Sequence, residues 1–456
     1  MSSTPFPVSD KHEYVDPIAL TQRLVRFDTT NPPGNEAQCI EHIQALLDRA
    51  GIQNQVLAKS PGHLNLIARL PGEGSALPLL LQGHVDVVPA DPTRWQQPPF
   101  SGDLVDGYLW GRGSLDMKSG IAMMISALVR ARADGMTPTG DIILALVCDE
   151  EAGGDQGAKY LVENHREQFD GIIYAIGEFG GFSFRLGRRR FYPIMVSEKQ
   201  VCHLRVTFRG VSGHASLKQP DNPMTGLSQF LRRVQSRELP VHVSSEARMM
   251  FQAIGKHLPL PARAGLSILL NPRFTAPMLR LLGQKGRTCS PLFRITVTPT
   301  LVRGGDQINV VPNEVSVDLD GRLLPGLSPE LLIAELTELA RAGAKGEKDS
   351  GAKIEVLRHD AGPKRPDMGL FDTLSSVLKE ADPEGIPVPM LMPAATDRRL
   401  FARLGIQTYG FLPMLLPDSL DFTSTIHGPD ERVPANAITF GSNAIYRLLQ
   451  RYGRSP

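Results

Sequence analysis

The stretch DIILALVCDEEAGG, residues 141–154, carries an apolar run of strand length straight into three consecutive acids, Asp149, Glu150 and Glu151. A short apolar run bounded by turn signals reads as a buried strand. Carboxylates at the end of such a strand come out of a core, not off a solvated face. Half-buried carboxylates are costly unless something positive meets them. The rest of the chain has to supply that positive partner.

Similar short strands lie on either side: HLNLIARL (63–70), LPLLLQGHVDVV (77–88) and GIIYAIGE (171–178). Amphipathic helices are expected at about 120–133 and 158–165. A helical pattern from 16 to 50 is interrupted by the turn-rich TTNPPGNE (29–36). Strands alternating with helices predict an α/β fold: an α/β/α catalytic domain whose mixed central sheet is covered on both faces. In such sheets ligands bind beyond the carboxyl ends of strands. His84, Asp86, Glu150, Glu151 and Glu178 all fall at or just past such ends.

The rhythm changes after Met195. KQVCHLRVTFRG (199–210) alternates as a half-exposed strand. A helix follows, then strands near FRITVTPTLV (293–302) and NEVSVDLDGRLL (313–324), a helix near 329–342, and a strand at KIEVLRHD (353–360). That β-α-β-β-α-β order predicts a ferredoxin-like α+β domain over residues 196–362, inserted between catalytic parts 1–195 and 363–456. An extra segment at about 241–292, rich in Arg, Leu and Pro, is expected to be helical. GEKDSGAK (346–353) reads as a solvated loop, and ANAITFGSNAIYRLLQRYG (435–453) as a closing helix.

The 456 residues carry 49 Lys and Arg against 48 Asp and Glu, a net charge of +1. That balance gives no general basic field for nucleic acid and no acidic tail. The run RLGRRR (185–190) reads as a solvated hairpin tip. The start, MSSTPFPVSDKHEYVDP, lacks the apolar core of a secretory leader. No apolar run approaches the ~18–20 residues of a membrane span, so no membrane partner is expected. Four cysteines without CxxC spacing predict free thiols and a cytoplasmic protein. Cys148 reads as a small buried hydrophobe. His12, His42, His165, His242 and His257 read as structural or surface histidines.

Three further motifs join the strand-end acids. QGHVDVVP holds His84 and Asp86, which share a side if extended. GRGSLDMKSG holds Asp116 in a glycine-rich loop without the phosphate-binding pattern. TIHGPDE holds His427. Imidazoles with carboxylates suit Zn²⁺, with Mn²⁺ or Co²⁺ as substitutes. Charge counting favours two ions. Asp116, Glu151 and Glu178 bring three negative charges, a bridging hydroxide brings a fourth, and two divalent ions balance them. Glu150 and Asp86 are then free for other work. Adjacent residues on an extended stretch point oppositely, so Glu150 and Glu151 should divide the roles of base and ligand.

With GHVDVVP, GRGSLDMKSG, DEEAGG and GVSGHAS in this order, the chain resembles the aminoacylase, acetylornithine-deacetylase, succinyl-diaminopimelate-desuccinylase and glutamate-carboxypeptidase group of co-catalytic zinc hydrolases. The resemblance implies that Asp116 bridges two Zn²⁺, that His84 and Glu178 complete one site, and that Glu151 and His427 complete the other. It implies Glu150 as general base and Asp86 as the carboxylate that orients and polarises His84. It also implies a cis peptide between Asp116 and Met117. The inserted domain corresponds to a lid that also forms a homodimer interface. His214 in GVSGHAS would reach a neighbouring subunit's site, while Asn309 in INVVP and Arg322 in DLDGRLL would hold a substrate carboxylate or polar group. AATDRRLF (394–401) resembles a pocket segment, but alanines stand where the family has glycines, so Thr396 and Asp397 are given no catalytic role. The expected activity is hydrolysis of an amide in an N-acyl amino acid or similar small substrate. The alternatives are a metallo-carboxypeptidase or dipeptidase and, in another class, an inactive metal-binding relative. The presence of Asp86 and Glu150 argues against the last, because a scaffold needs ligands but no base.

Overall fold

The computed structural model describes residues 14–217, 219, 222–341 and 352–454. Residue 342 of the expected helix, nearly all of GEKDSGAK and the first 13 residues lie outside these. The chain forms two compact units. The first draws on Met1–Val196, Asp367–Met390 and Thr396–Pro456, and the second on Ser197–Pro366 and Leu391–Ala395.

The first unit is built on a nine-stranded mixed sheet. Its order is Gln53–Ala58, Leu64–Leu70, Ile142–Val147, Leu79–His84, Tyr174–Gly177, Gln407–Gly410, Arg189–Glu198 and Gly385–Met392, with Phe184–Leu186 paired to Arg189–Glu198. Ile142–Val147, Leu79–His84, Tyr174–Gly177 and Gln407–Gly410 run parallel to one another, and the strands that flank this block, Leu64–Leu70 and Arg189–Glu198, pair with it antiparallel. These central strands are buried at every position but Tyr174, because both faces are covered. Leu79, Leu81, Ile142 and Leu144 face one cluster, with side chains from Lys118–Ala133 and Ala435–Arg451. Leu80, Ile143, Ala145 and Val147 face another, with Leu161, Phe169 and Leu400. The period-2 alternation of strands therefore separates two apolar cores, not a core from solvent. RLGRRR forms the hairpin between Phe184–Leu186 and Arg189–Glu198.

The second unit carries a four-stranded antiparallel sheet in the order Thr296–Arg303, Glu314–Leu323, Gln200–Arg209, Ala352–Asp360. Helices Pro223–Ser236 and Pro329–Arg341 complete a β-α-β-β-α-β arrangement, and their Leu227, Phe230, Leu332 and Leu336 share one core with the strands. The extra segment holds helices Ser245–Gly255, Leu260–Leu269, Pro272–Leu281 and Gln284–Cys289. Local sequence starts two of them. The Ser244 hydroxyl accepts from the Ala247 amide, and Asn271 caps a helix whose first residue is Pro272.

Candidate metal centre

Three parallel strands end side by side, and each delivers part of one cluster. His84 closes Leu79–His84, Asp149 to Glu151 follow Ile142–Val147, and Glu178 follows Tyr174–Gly177. Asp116 precedes helix Lys118–Ala133, and His427 lies just beyond the short helix Phe422–Thr425. Among the described residues, three groups bring ligand-type atoms within 4.8 Å of one another: His84 with Asp116 and Glu178, His84 with Glu150 and Glu151, and Asp116 with Glu151 and His427. The two oxygens of Asp116 face different histidines. Oδ1 lies 3.1 Å from His84 Nε2, and Oδ2 lies 3.2 Å from His427 Nε2. Glu178 stands 3.5 Å from His84, and Glu151 stands 3.0 Å from His427.

The charges show a deficit of cations. Burial works against a charged His84, but hydrogen bonds to Asp116, Asp86 and Glu178 outweigh it and hold its pKa well above the usual histidine range. Hydrogen bonds to Asp116 and Glu151 raise His427 to about 10 against the opposing effect of burial. Burial, opposed by His84, pushes Glu178 up to about 7. Burial also raises Glu150 well above its ordinary value, helped by the charge of Glu178. Protons thus gather where the carboxylates converge. Divalent cations bound by neutral imidazoles and ionised carboxylates would replace those protons, so this donor set fits a metal pair.

Asp86 does more than face His84. His84 Nδ1 lies 3.0 Å from the Asp86 backbone carbonyl and 3.5 Å from its carboxylate. That carboxylate accepts from the amides of Glu150 and Glu151, both at 3.1 Å, and from Asn31 Nδ2 at 3.0 Å. Asn31 Nδ2 also donates to Asp149, whose other oxygen accepts from the Gln156 amide. The expectation that Glu150 and Glu151 lie on an extended stretch is corrected here. Asp149 adopts φ 66° and the chain turns at once. The turn, pinned through Asp86, sets the directions of the two glutamates.

Asp116 has its own brace. Glu431, fully buried, accepts from the amides of Leu115 (2.7 Å) and Asp116 (3.2 Å) and pairs with Arg112 at 2.5 Å. Arg112 in turn donates to the His427 carbonyl. The Asp116–Met117 peptide is cis, as the resemblance implied.

Asp397, passed over in the sequence, is only 1% exposed, and neither of its carboxylate oxygens accepts a hydrogen bond among the described residues. Burial pushes its pKa to about 6, against the pull of Arg399 and His84. The Arg399 guanidinium lies 3.8 Å from both Glu150 and Asp397 and donates to the carbonyls of Thr396 and Gly153. The second glycine of DEEAGG makes room for this contact: a Cβ on Gly154 would come within 2.9 Å of Asp397 Oδ1. Asn31, Asp397, Arg399 and Glu431 were therefore missed as supports, although each sits in a motif the sequence already singled out.

The remaining predicted residues lie in the second unit. Gly213–His214 pairs with Val310–Val311, which brings His214 beside Asn309, and the Ala215 amide donates to the Asn309 carbonyl. His214 is exposed, with Nδ1 2.7 Å from the Ser216 hydroxyl. Arg322 lies on Glu314–Leu323, and its guanidinium binds Asp320 through two nitrogens.

A family model described as Peptidase family M20/M25/M40 matches residues 80–451. A carboxypeptidase S-like protein of Dictyostelium discoideum is 28% identical over 79% of this chain and 68% of its own length. The human N-fatty-acyl-amino acid synthase/hydrolase PM20D1 is 27% identical over 88% of this chain and 78% of its own. In fold, the chain is similar to the M20 family metallo-carboxypeptidase Sso-CP2 of Sulfolobus solfataricus, with a TM-score of 0.67 at 16% identity over 96% of this chain and 99% of that one. It is equally similar to the dipeptidase Dug1p of Saccharomyces cerevisiae, with a TM-score of 0.67 at 14% identity over 96% of each chain.

Proposed function

The chain belongs to peptidase family M20/M25/M40 and is a hydrolase of that family; from that premise we propose that it cleaves the amide bond of N-acyl amino acids at a two-zinc centre. One observation carries the two-ion reading: Asp116 turns one carboxylate oxygen to each histidine. His84 and Glu178 would complete one site with Asp116, and Glu151 and His427 the other. Zn²⁺ suits these donors, and Mn²⁺ or Co²⁺ could substitute. Bound there, the pair would supply Lewis acidity, which makes water acidic and an amide carbonyl electrophilic.

The chain's own part is proton transfer and positioning. Glu150 takes the proton of the attacking water on its carboxylate and returns it to the amide nitrogen as the amine leaves. Its raised pKa suits a group that must hold and then release a proton. Arg399, anchored on two backbone carbonyls, fixes the Glu150 carboxylate from one side. Asp86 fixes the Glu150 backbone from the other. Phe179, Phe182 and Phe422 pack on one another and line one pocket with Asp116 and Glu178, an apolar lining that favours an acyl group over a charged one. The second unit would act as a lid and homodimer surface, with His214 reaching a partner's site and Asn309 and Arg322 gripping the substrate carboxylate.

The name of the PM20D1 relative supports the acyl amino acid reading. The carboxypeptidase S-like relative supports a second reading, a metallo-carboxypeptidase or dipeptidase. One assay separates them. Protein loaded with Zn²⁺, Mn²⁺ or Co²⁺ is given N-acyl amino acids of graded chain length, dipeptides and longer peptides, while bound metal is counted. Two ions per chain with hydrolysis of the acyl series is the expected result. Cleavage of peptides alone would move the activity to the second reading, and a single ion would overturn the bridging role of Asp116.

A further inference from the structure

Between Glu246 and Asp306 the sequence contains no acidic residue, but nine arginines and lysines. The rest of the chain then carries 40 basic residues against 48 acidic ones, so the overall charge of +1 hides a strongly cationic segment on an acidic protein. This segment contains the helices added to the ferredoxin-like unit, and they expose apolar side chains. On Pro272–Leu281, Phe274, Pro277 and Leu281 recur at helical spacing; Phe274 is 53% exposed and Leu281 80%. On Leu260–Leu269, Leu260, Ala264 and Ile268 do the same, with Leu260 78% exposed. The opposite sides, at Leu269, Thr275 and Leu279, are buried against the unit's own core.

Exposed arginines sit in the same turns as these stripes, Arg263 on the first helix and Arg273 and Arg280 on the second. Arg280 has Glu238 at 3.8 Å, whereas no ion pair among the described residues engages Arg263 or Arg273. Apolar stripes flanked by unpaired cations match an interface whose surface is anionic and whose interior is apolar. A second copy docking through the same face would set one cationic surface against another, with Glu238 beside Arg280 as the acid that these contacts place there. A nucleic acid would use the arginines but leave the leucines and the phenylalanine in water.

We propose that this helical pair docks the protein onto anionic lipid surfaces, lying in the headgroup region without spanning the bilayer. The sequence-level expectation of no membrane partner rested on the lack of an apolar run long enough to cross, and lying on a surface requires none. The proposal is independent of the substrate assigned above. Its consequence, if the substrate is an amphiphile, is that the enzyme works where such molecules collect.

Co-sedimentation of the full-length, metal-loaded protein with vesicles tests it. One set is phosphatidylcholine alone, and the other contains about one-third phosphatidylglycerol. Binding to the anionic vesicles only, weakened by added salt, is expected. Each arginine near such a surface contributes a factor of about five, so Arg263→Gln with Arg273→Gln should lower partitioning roughly thirtyfold. Phe274→Ser with Leu281→Ser, which keeps every charge, should lower it about tenfold or more. Both pairs alter exposed side chains, and unchanged melting and hydrolysis of a soluble substrate will show that the fold is intact. Several outcomes would overturn the proposal: no binding to anionic vesicles at low salt, serine variants that bind as well as the parent, or apolar substitutions that instead dissociate a dimer in sedimentation velocity. Equal retention on a polynucleotide that survives the serine substitutions would assign the patch to nucleic acid.

Discussion

Stripping the metals should make stability fall as pH rises, and Glu178 sets the scale. In the metal-free folded chain its carboxyl titrates at about 7, against an ordinary value of 4.5, first because it is buried. Below pH 4.5 folded and unfolded chains both hold this proton. Between 4.5 and 7 only the folded chain does, so stability is lost progressively across that window. The difference of about 2.5 units corresponds to roughly 3 kcal/mol, and for a unit of this size to a melting shift on the order of 6 °C. Asp397, raised to about 6, acts with the same sign at somewhat lower pH. His427, raised to about 10, extends the decline above pH 6.5, weakened by solvent because its side chain is half-exposed. Asp116 is lowered and acts oppositely, but its window lies below pH 3.8. With metals bound, the ligands are deprotonated and the cations bind only the folded state, so stability should hold or rise with pH. Scanning calorimetry of chelated and Zn²⁺-reloaded protein at pH 5, 6, 7 and 8 should show a melting gap that widens by about 6 °C or more. A gap that stays constant or narrows would refute the convergence of uncompensated carboxylates.

Glu150→Gln should keep both metals and lose at least about 10²–10⁴-fold in kcat, since an amide cannot carry the proton; near-normal turnover would return Glu150 to a structural role. Glu431→Gln should weaken metal binding about 10–100-fold in a competition titration with a chelator, because it loosens the loop that presents Asp116; unchanged affinity would show that the brace is dispensable. Arg399→Ala should cost about 3–5 kcal/mol in denaturant unfolding by leaving Asp397 and Glu150 buried without their cation. Asp397→Asn in the same chain should recover part of that loss, and if it recovers none the two side chains are not coupled. Finally, His214→Ala and Glu150→Gln chains co-assembled should regain part of the activity that each lacks alone; mixed protein as dead as either parent would remove His214 from a neighbour's site.

The sequence made the cluster legible because strand ends are predictable. Once the runs at 77–88, 141–148 and 171–178 read as strands of one sheet, the polar residues at or just past their ends had to meet. The α/β and ferredoxin-like units followed from the same reading of periodicity. What stayed hidden is the support, and the reason is physical. Arg112 and Glu431 are 319 residues apart, and Asn31 and Asp149 are 118 apart. Neither partner looks unusual until folding buries it beside the other. Asp397 was set aside because its neighbours are alanines, yet its environment comes from Gly154 and Arg399, not from the residues before it. The reading of Glu150 and Glu151 failed in an instructive way. Opposite pleat directions were expected to separate them, whereas a left-handed Asp149 and one carboxylate, Asp86, holding both amides do so. A pleat fixes side-chain directions only while the strand continues. Beyond its end, direction must be imposed by hydrogen bonds to groups already fixed, and Asp86, tied to Asn31 and placed by the adjacent strand, is such a group. The precision of the centre therefore rests on buried carboxylates that would touch no substrate. Substitutions at Asp86, Glu431 or Asp397 should blur the site while leaving its ligands in the sequence untouched.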